Sequence, residues 1–178
     1  KLLTDSELTG ITRNPWDPAR SPGGSSGGAG VAVASGVGAF AVSTDGGGSA
    51  RVPAAACGIL GLKVTLGAIP HETWPFHFGN NSSVAINSRH VEDLVLGFNL
   101  MAGASSMDPW SRRRIQPLTQ PAQPQAKGPK KSALLISGLG GQACDEKIMA
   151  IVQQSIQALA HNGYEITIAE RDPLAFDP

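Results

Sequence analysis

At 178 residues and 41% apolar content, the chain is long enough to bury the core of one ordinary domain and too apolar for a disordered segment. Its 14 basic residues balance 14 acidic ones, so no global field favours nucleic acid or a membrane surface. Aromatics are only 5%, against 22 glycines and 13 prolines, a balance that favours close backbone packing and many turns.

Two cysteines, Cys57 and Cys144, give neither a disulfide framework nor metal spacing. Cys57 sits among alanines and reads as a small buried residue, while Cys144 precedes a helix start. There is no charged leader followed by an apolar run, and no apolar run of about 18 residues. The expectation is a cytoplasmic protein without a membrane partner.

In chain order, Leu2, Leu3 and Leu8 read as the end of a short helix begun outside the chain and stopped at Gly10. Arg13-Asn14-Pro15-Trp16-Asp17-Pro18 holds two prolines in four residues and predicts a turning loop. Pro22-Gly23-Gly24-Ser25-Ser26-Gly27-Gly28 follows, a cluster whose glycines permit close approach of other groups. Ala29 to Ser35, small and apolar throughout, predicts a short buried helix with its amino end at the serines. Gly38 to Ser43 predicts a buried strand ending at Thr44-Asp45, with Gly46-Gly47-Gly48-Ser49 at its carboxyl end. Three glycines in a row present several backbone N–H groups to one point.

Arg51 to Cys57 reads as a helix with Pro53 in its first turn, and Gly58 to Thr65 as extended chain. His71 to Asn87 reads as irregular, with Trp74, Phe76 and Phe78 alternating in a short extended piece. Val91, Leu94, Val95, Phe98 and Met101 follow the helical period, with Glu92 and Asp93 in the first turn and Gly103 as the stop. Ala104 to Lys131 is expected to be loop and the best internal boundary. It carries the basic clusters Arg112-Arg113-Arg114 and Lys127 with Lys130-Lys131, read as solvated. Strand Ser132–Ser137, helix Asp145–His161 (Ile148, Val152, Ile156 and Leu159 on one face) and strand Tyr164–Ala169 form a β-α-β unit with parallel strands. No internal repeat is visible.

The chemistry-bearing expectation is that Ser25 and Ser49 meet in one active site. A serine hydroxyl needs a base before it attacks. The histidines (His71, His77, His90 and His161) lie in loops or at helix ends without a local signature, so a Ser-His-Asp site has no support in the sequence. The other solution is a lysine held neutral by burial, with a second serine relaying the proton.

Here the motifs carry a resemblance. P-G-G-S-S-G-G at 22–28, D-G-G-G-S-A-R-V-P at 45–53 and C-G-I-L-G-L-K at 57–63 resemble the amidase signature family, whose members act on amides through a Ser-Ser-Lys triad. R-N-P-W-D at 13–17 and the segment from Arg89 to Gly103 are similar to the family's flanking sequence. The resemblance covers essentially the whole chain. It implies Ser49 as nucleophile, Ser25 as bridging serine after a cis peptide bond, and Ser26 as a supporting hydroxyl. It also implies an oxyanion hole from the N–H groups of Gly46, Gly47, Gly48 and Ser49, each worth roughly 3 kcal/mol where such donors have been removed. Asp45 and Arg51 are expected to form an ion pair holding the nucleophile loop.

The sequence departs from the family at Gly46, where threonine or a similar residue is usual, and at Val64, where proline is usual. The resemblance implies a base lysine on a segment upstream of the bridging serine, a segment expected to be missing from this chain. Lys1 resembles a second, downstream lysine of the family, and Lys63 belongs to the motif after the nucleophile.

The expectation is therefore an α/β partial domain, a mixed β-sheet core flanked by helices. Residues 1–103 form the signature core segment, 104–131 the loop and 132–178 a β-α-β segment of the same fold. The chain is read as the central, by itself inactive, fragment of an amidase that cleaves small-molecule amides without a cofactor, a metal or a nucleic-acid partner. Exposed apolar edges are compatible with homo-oligomers. The rivals are an amidotransferase subunit of glutamyl-tRNA type, a non-catalytic glycine-rich anion-binding module and a catalytically dead remnant. The module reading lacks the P-loop spacing G-x-x-x-x-G-K-[ST].

Overall fold

The computed structural model describes residues 1–72, 81–111, 115–119, 131–139 and 142–169. The expectations for Trp74, Phe76, Phe78 and His77, and those for Arg112 to Arg114, Lys127 and Lys130, lie outside the described residues. The chain divides into two units, Lys1–Gln120 and Pro121–Pro178.

The first unit opens differently from expectation. Instead of a helix end, β1 (Asp5–Ser6) and β2 (Gly10–Ile11) pair as a small antiparallel hairpin. Ser6 Oγ accepts from Thr9 N at 3.0 Å and lies 2.6 Å from Thr9 Oγ1. Such local side-chain bonds compete with helix. Leu2, Leu3 and Leu8 are exposed, so no apolar face holds a helix here.

α1 (Gly27–Ala34), β3 (Phe40–Asp45), α2 (Arg51–Cys57) and β4 (Leu60–Lys63) follow, close to where the sequence places them. β3 is not buried along its length. Ser43 and Asp45 point inward while Val42 and Thr44 are exposed, the alternation of a half-covered strand. The irregular stretch predicted before Asn87 instead contains β5 (Ser83–Ser88), buried at all six positions. β5 is the centre of a three-stranded antiparallel sheet of order β3-β5-β4. Its short Val84-Ala85-Ile86 run lies between serines that hide their polarity in hydrogen bonds, Ser83 Oγ to Val64 O and Ser88 Oγ to His90 O.

α3 (Val91–Met101) lays Phe98 and Gly97 onto this sheet, and the Phe40 ring fills the space a side chain at Gly97 would take. Val64, Ala68, Ile69, Val84, Ile86 and Phe98 form the core. Each large member contributes about 1.5–3 kcal/mol by leaving water.

The carboxyl end of α2 is closed by the loop the prolines shape. Asn14 Nδ2 donates to Ala56 O at 2.8 Å and Trp16 Nε1 to Cys57 O at 2.7 Å. Gly58, at φ +67°, ends the helix in the left-handed conformation. Two carbonyls that lack helical partners are thus satisfied by side chains. Arg89 ties the end of α1 to the approach to β3, donating to Val33 O and to Gly38 O.

In the second unit, β6 (Lys131–Leu135) and β9 (Tyr164–Ile168) pair in parallel across α4 (Glu146–His161), as the sequence predicts. The Asp145 side chain caps α4 by accepting from Lys147 N and Ile148 N. A hairpin of β7 (Gly138–Leu139) and β8 (Gln142–Ala143) intervenes. Val152, Ile156 and Leu159 are half-buried, but Ile148 is exposed. No helix among the described residues is long and apolar enough to cross a membrane.

Candidate active site

β3 delivers Asp45, fully buried, to the start of a tight turn that ends in α2. The Asp45 carboxylate organises that turn. Oδ1 accepts from Gly48 N at 2.7 Å, and Oδ2 accepts from Ala50 N at 3.2 Å and Arg51 N at 3.3 Å. Arg51 completes the arrangement as a two-pronged donor, Nε to Oδ2 and an Nη to Oδ1, both at 2.9 Å. Burial pushes the Asp45 carboxyl up, but the Arg51 guanidinium and the three N–H groups outweigh it and hold the group well below the usual carboxylate range. Gly48 sits at φ +118°, a conformation that a side chain resists.

Ser49 follows at the head of α2. The Gly24–Ser25 peptide bond is cis, and Ser26 stands at the N-cap position of α1 without a side-chain bond to the helix. Ser25 Oγ lies 2.6 Å from Ser49 Oγ and Ser26 Oγ 2.9 Å from it. Ser49 Oγ also accepts from Ser25 N at 3.2 Å, and Ser49 O accepts from Ser26 N at 3.3 Å. Three hydroxyls thus converge on one point, with Ser49 half-buried and Ser25 exposed. A cleft of about 320 Å³ beside the amino-terminal hairpin reaches Ser25 and is lined in part by Thr4, Ser6 and Thr9.

The sequence-predicted residues Ser25, Ser26, Asp45, Gly46, Gly47, Gly48, Ser49 and Arg51 all fall in this region, but one is already occupied. Of the four N–H groups expected to form an oxyanion hole, that of Gly48 instead donates to Asp45. Lys1 Nζ binds Asp5 Oδ1 at 2.8 Å, and Lys63 lies on β4 opposite Ala85. No histidine among the described residues hydrogen-bonds to the serines.

Sequence reasoning missed Asn87. Fully buried on β5, it bonds Ser43 on β3 and the carbonyl of Ala50, next to Ser49. The one signal in the sequence was an amide directly after the apolar run Val84-Ala85-Ile86.

Comparison with known proteins agrees with the motifs. The sequence model of the family described as Amidase matches residues 2–177. The chain is 38% identical over 167 residues to an acylamidase of Rhodococcus erythropolis, covering 93% of this chain and 35% of that protein. It is 40% identical over 164 residues to a glutamyl-tRNA(Gln) amidotransferase subunit of Synechococcus sp. (strain JA-3-3Ab), covering 92% and 32%. Among solved structures, 6-aminohexanoate cyclic dimer hydrolase complexed with substrate superposes with a TM-score of 0.82 at 30% identity, covering 95% of this chain and 36% of that one. The chain spans about a third of the length of the curated relatives it matches.

Proposed function

Since the chain belongs to the amidase family, we propose that its serine cluster is the acyl-transfer site of an amide hydrolase. The observation that carries this reading is the 2.6 Å approach of Ser25 Oγ to Ser49 Oγ. A nucleophilic hydroxyl needs a neighbour that takes its proton, and Ser25 is within proton-transfer distance.

In this mechanism Ser49 Oγ adds to the amide carbonyl carbon. Its proton passes to Ser25, whose own proton passes to a neutral amine. The resemblance assigns that base to a lysine other than Lys1, engaged by Asp5, and Lys63. The carbonyl oxygen takes the electron pair of the broken π bond and is held by the N–H groups of Gly46, Gly47 and Ser49. Collapse breaks the C–N bond, and the proton returns through Ser25 to the leaving amine. Water then attacks the Ser49 ester, giving the carboxylic acid and the free serine. Ser26 orients the attacking oxygen, and the Asp45–Arg51 pair fixes the turn that presents it.

The substrate is a small-molecule amide, a reading supported by the hydrolases among the matches. Transfer of the same acyl group to another acceptor is supported by the likeness to the amidotransferase.

The deciding experiment treats the whole protein with a serine-directed fluorophosphonate and locates the adduct by mass spectrometry. Labelling at Ser49, abolished in Ser49→Ala, is expected. An adduct on any other residue overturns the assignment.

A further inference from the structure

In the turn that presents Ser49, Asp45 collects the N–H groups of Gly48, Ala50 and Arg51, and two of the turn's carbonyls accept from other elements. Ser49 O accepts from Ser26 N. Ala50 O, one residue further, accepts from Asn87 Nδ2 at 3.0 Å as well as from Ala54 N within the helix. Resting on the assignment of Ser49 as nucleophile, we infer that Asn87 is a positioning residue that sets the Ser49 hydroxyl through the Ala50 carbonyl.

The sheet does not require an amide at this position. Asn87 lies opposite Ala41 on β3 and Gly61 on β4, so the strand is paired on both sides through its backbone. An apolar β-branched residue is the ordinary occupant of such a central strand. A buried amide is costly unless its groups are bonded, and all of this one's bonds lead to the elements around the serine. Oδ1 accepts from Ser43 Oγ at 2.8 Å, next but one to Asp45 on β3. Nδ2 donates to Ala50 O and, at 3.4 Å, to Leu60 O at the start of β4. A hydroxyl donor on one side and two carbonyls on the other leave a single orientation for the amide. Asn87 therefore joins β3, β4 and the head of α2 at the peptide following Ser49.

The test uses the whole protein and two variants, Asn87→Asp and Asn87→Ser. Asn87→Asp keeps the acceptor for Ser43 but turns an oxygen toward Ala50 O; Asn87→Ser is smaller and cannot span from Ser43 to Ala50. Each is assayed for the rate of fluorophosphonate labelling of the folded protein and for kcat and KM on acetanilide. Labelling and kcat are expected to fall about tenfold or more with KM within about twofold, since displaced reacting groups lose rate before binding. If Asn87→Asp does not fold, Asn87→Ser decides by the same readouts. A variant that loses thermal stability yet labels at the wild-type rate overturns the positioning role, because a purely structural residue behaves in that way. Wild-type labelling away from Ser49 would instead remove the underlying assignment, and the two failures are told apart by the adduct's position.

Discussion

Ser26 Oγ lies 2.9 Å from Ser49 Oγ, almost as close as Ser25 Oγ, yet the two hydroxyls have different surroundings. Ser26 Oγ has a second partner, Thr44 O at 3.4 Å, on the strand that leads to the turn carrying Ser49. Ser25 is exposed and borders the cleft beside the amino-terminal hairpin.

That difference predicts unequal losses. Under the proposed mechanism Ser25→Ala removes the proton relay, and it is expected to slow Ser49 labelling by about 100-fold or more, the usual scale of lost general acid–base catalysis. Ser26→Ala removes one orienting hydrogen bond, worth about 1 kcal/mol, and is expected to cost roughly fivefold. Second-order labelling rates of the two variants check this. Equal losses would sink the hierarchy and make the relay shared.

Asp45 ties stability to pH with a definite sign. Its folded-state carboxyl is held below the usual range, so its contribution is complete above the unfolded value of about 3.9. The contribution declines as pH falls below that value toward the folded one. Asp45→Asn keeps the shape but loses the charge and cannot accept at both positions. It is expected to cost about 1–3 kcal/mol at neutral pH, a figure that allows for the half-exposed Arg51. Urea unfolding of both proteins from pH 7 to pH 3 should show the gap narrowing below pH 4. A gap that stays constant over that range would exclude the carboxylate as its source.

The parts of the fold legible in the sequence are those with local causes. α3 follows its apolar period, α4 begins where Asp145 caps it, and α2 ends where Gly58 takes a positive φ. The meeting of Ser25 and Ser49 was legible through the motifs that frame them. What stayed hidden depends on partners distant in sequence. β5 is only six residues long, with serines at both ends, and its burial comes from β3 and β4 on either side. Asn87 looked like the end of a loop because Ser43 and Ala50, which satisfy its amide, lie far away in sequence. The commitment of the Gly48 N–H to Asp45 depends on a backbone conformation that the glycine run permits but does not dictate.

The approach of α1 to α2 makes a prediction that runs against helix propensity. In an exposed helix, glycine to alanine is worth about 1 kcal/mol of added stability. Gly30, however, faces Pro53, and a Cβ placed there would come within 2.9 Å of Pro53 Cβ. Pro53 has a rigid ring and belongs to the helix that Ser49 precedes, while Gly30 belongs to the helix that Ser26 precedes. A methyl group must therefore move the two helices apart, and with them the serines. Gly30→Ala is expected to lower stability by about 1–3 kcal/mol, the scale of overpacking, and to slow Ser49 labelling about tenfold. Gly28, on the same helix, has nothing within 4 Å of its Cβ position. Gly28→Ala should be neutral or slightly stabilising and label at the wild-type rate. Urea midpoints measured together with labelling rates separate the two cases, and a Gly30→Ala protein indistinguishable from Gly28→Ala would mean that the helix contact does not set the distance between the serines.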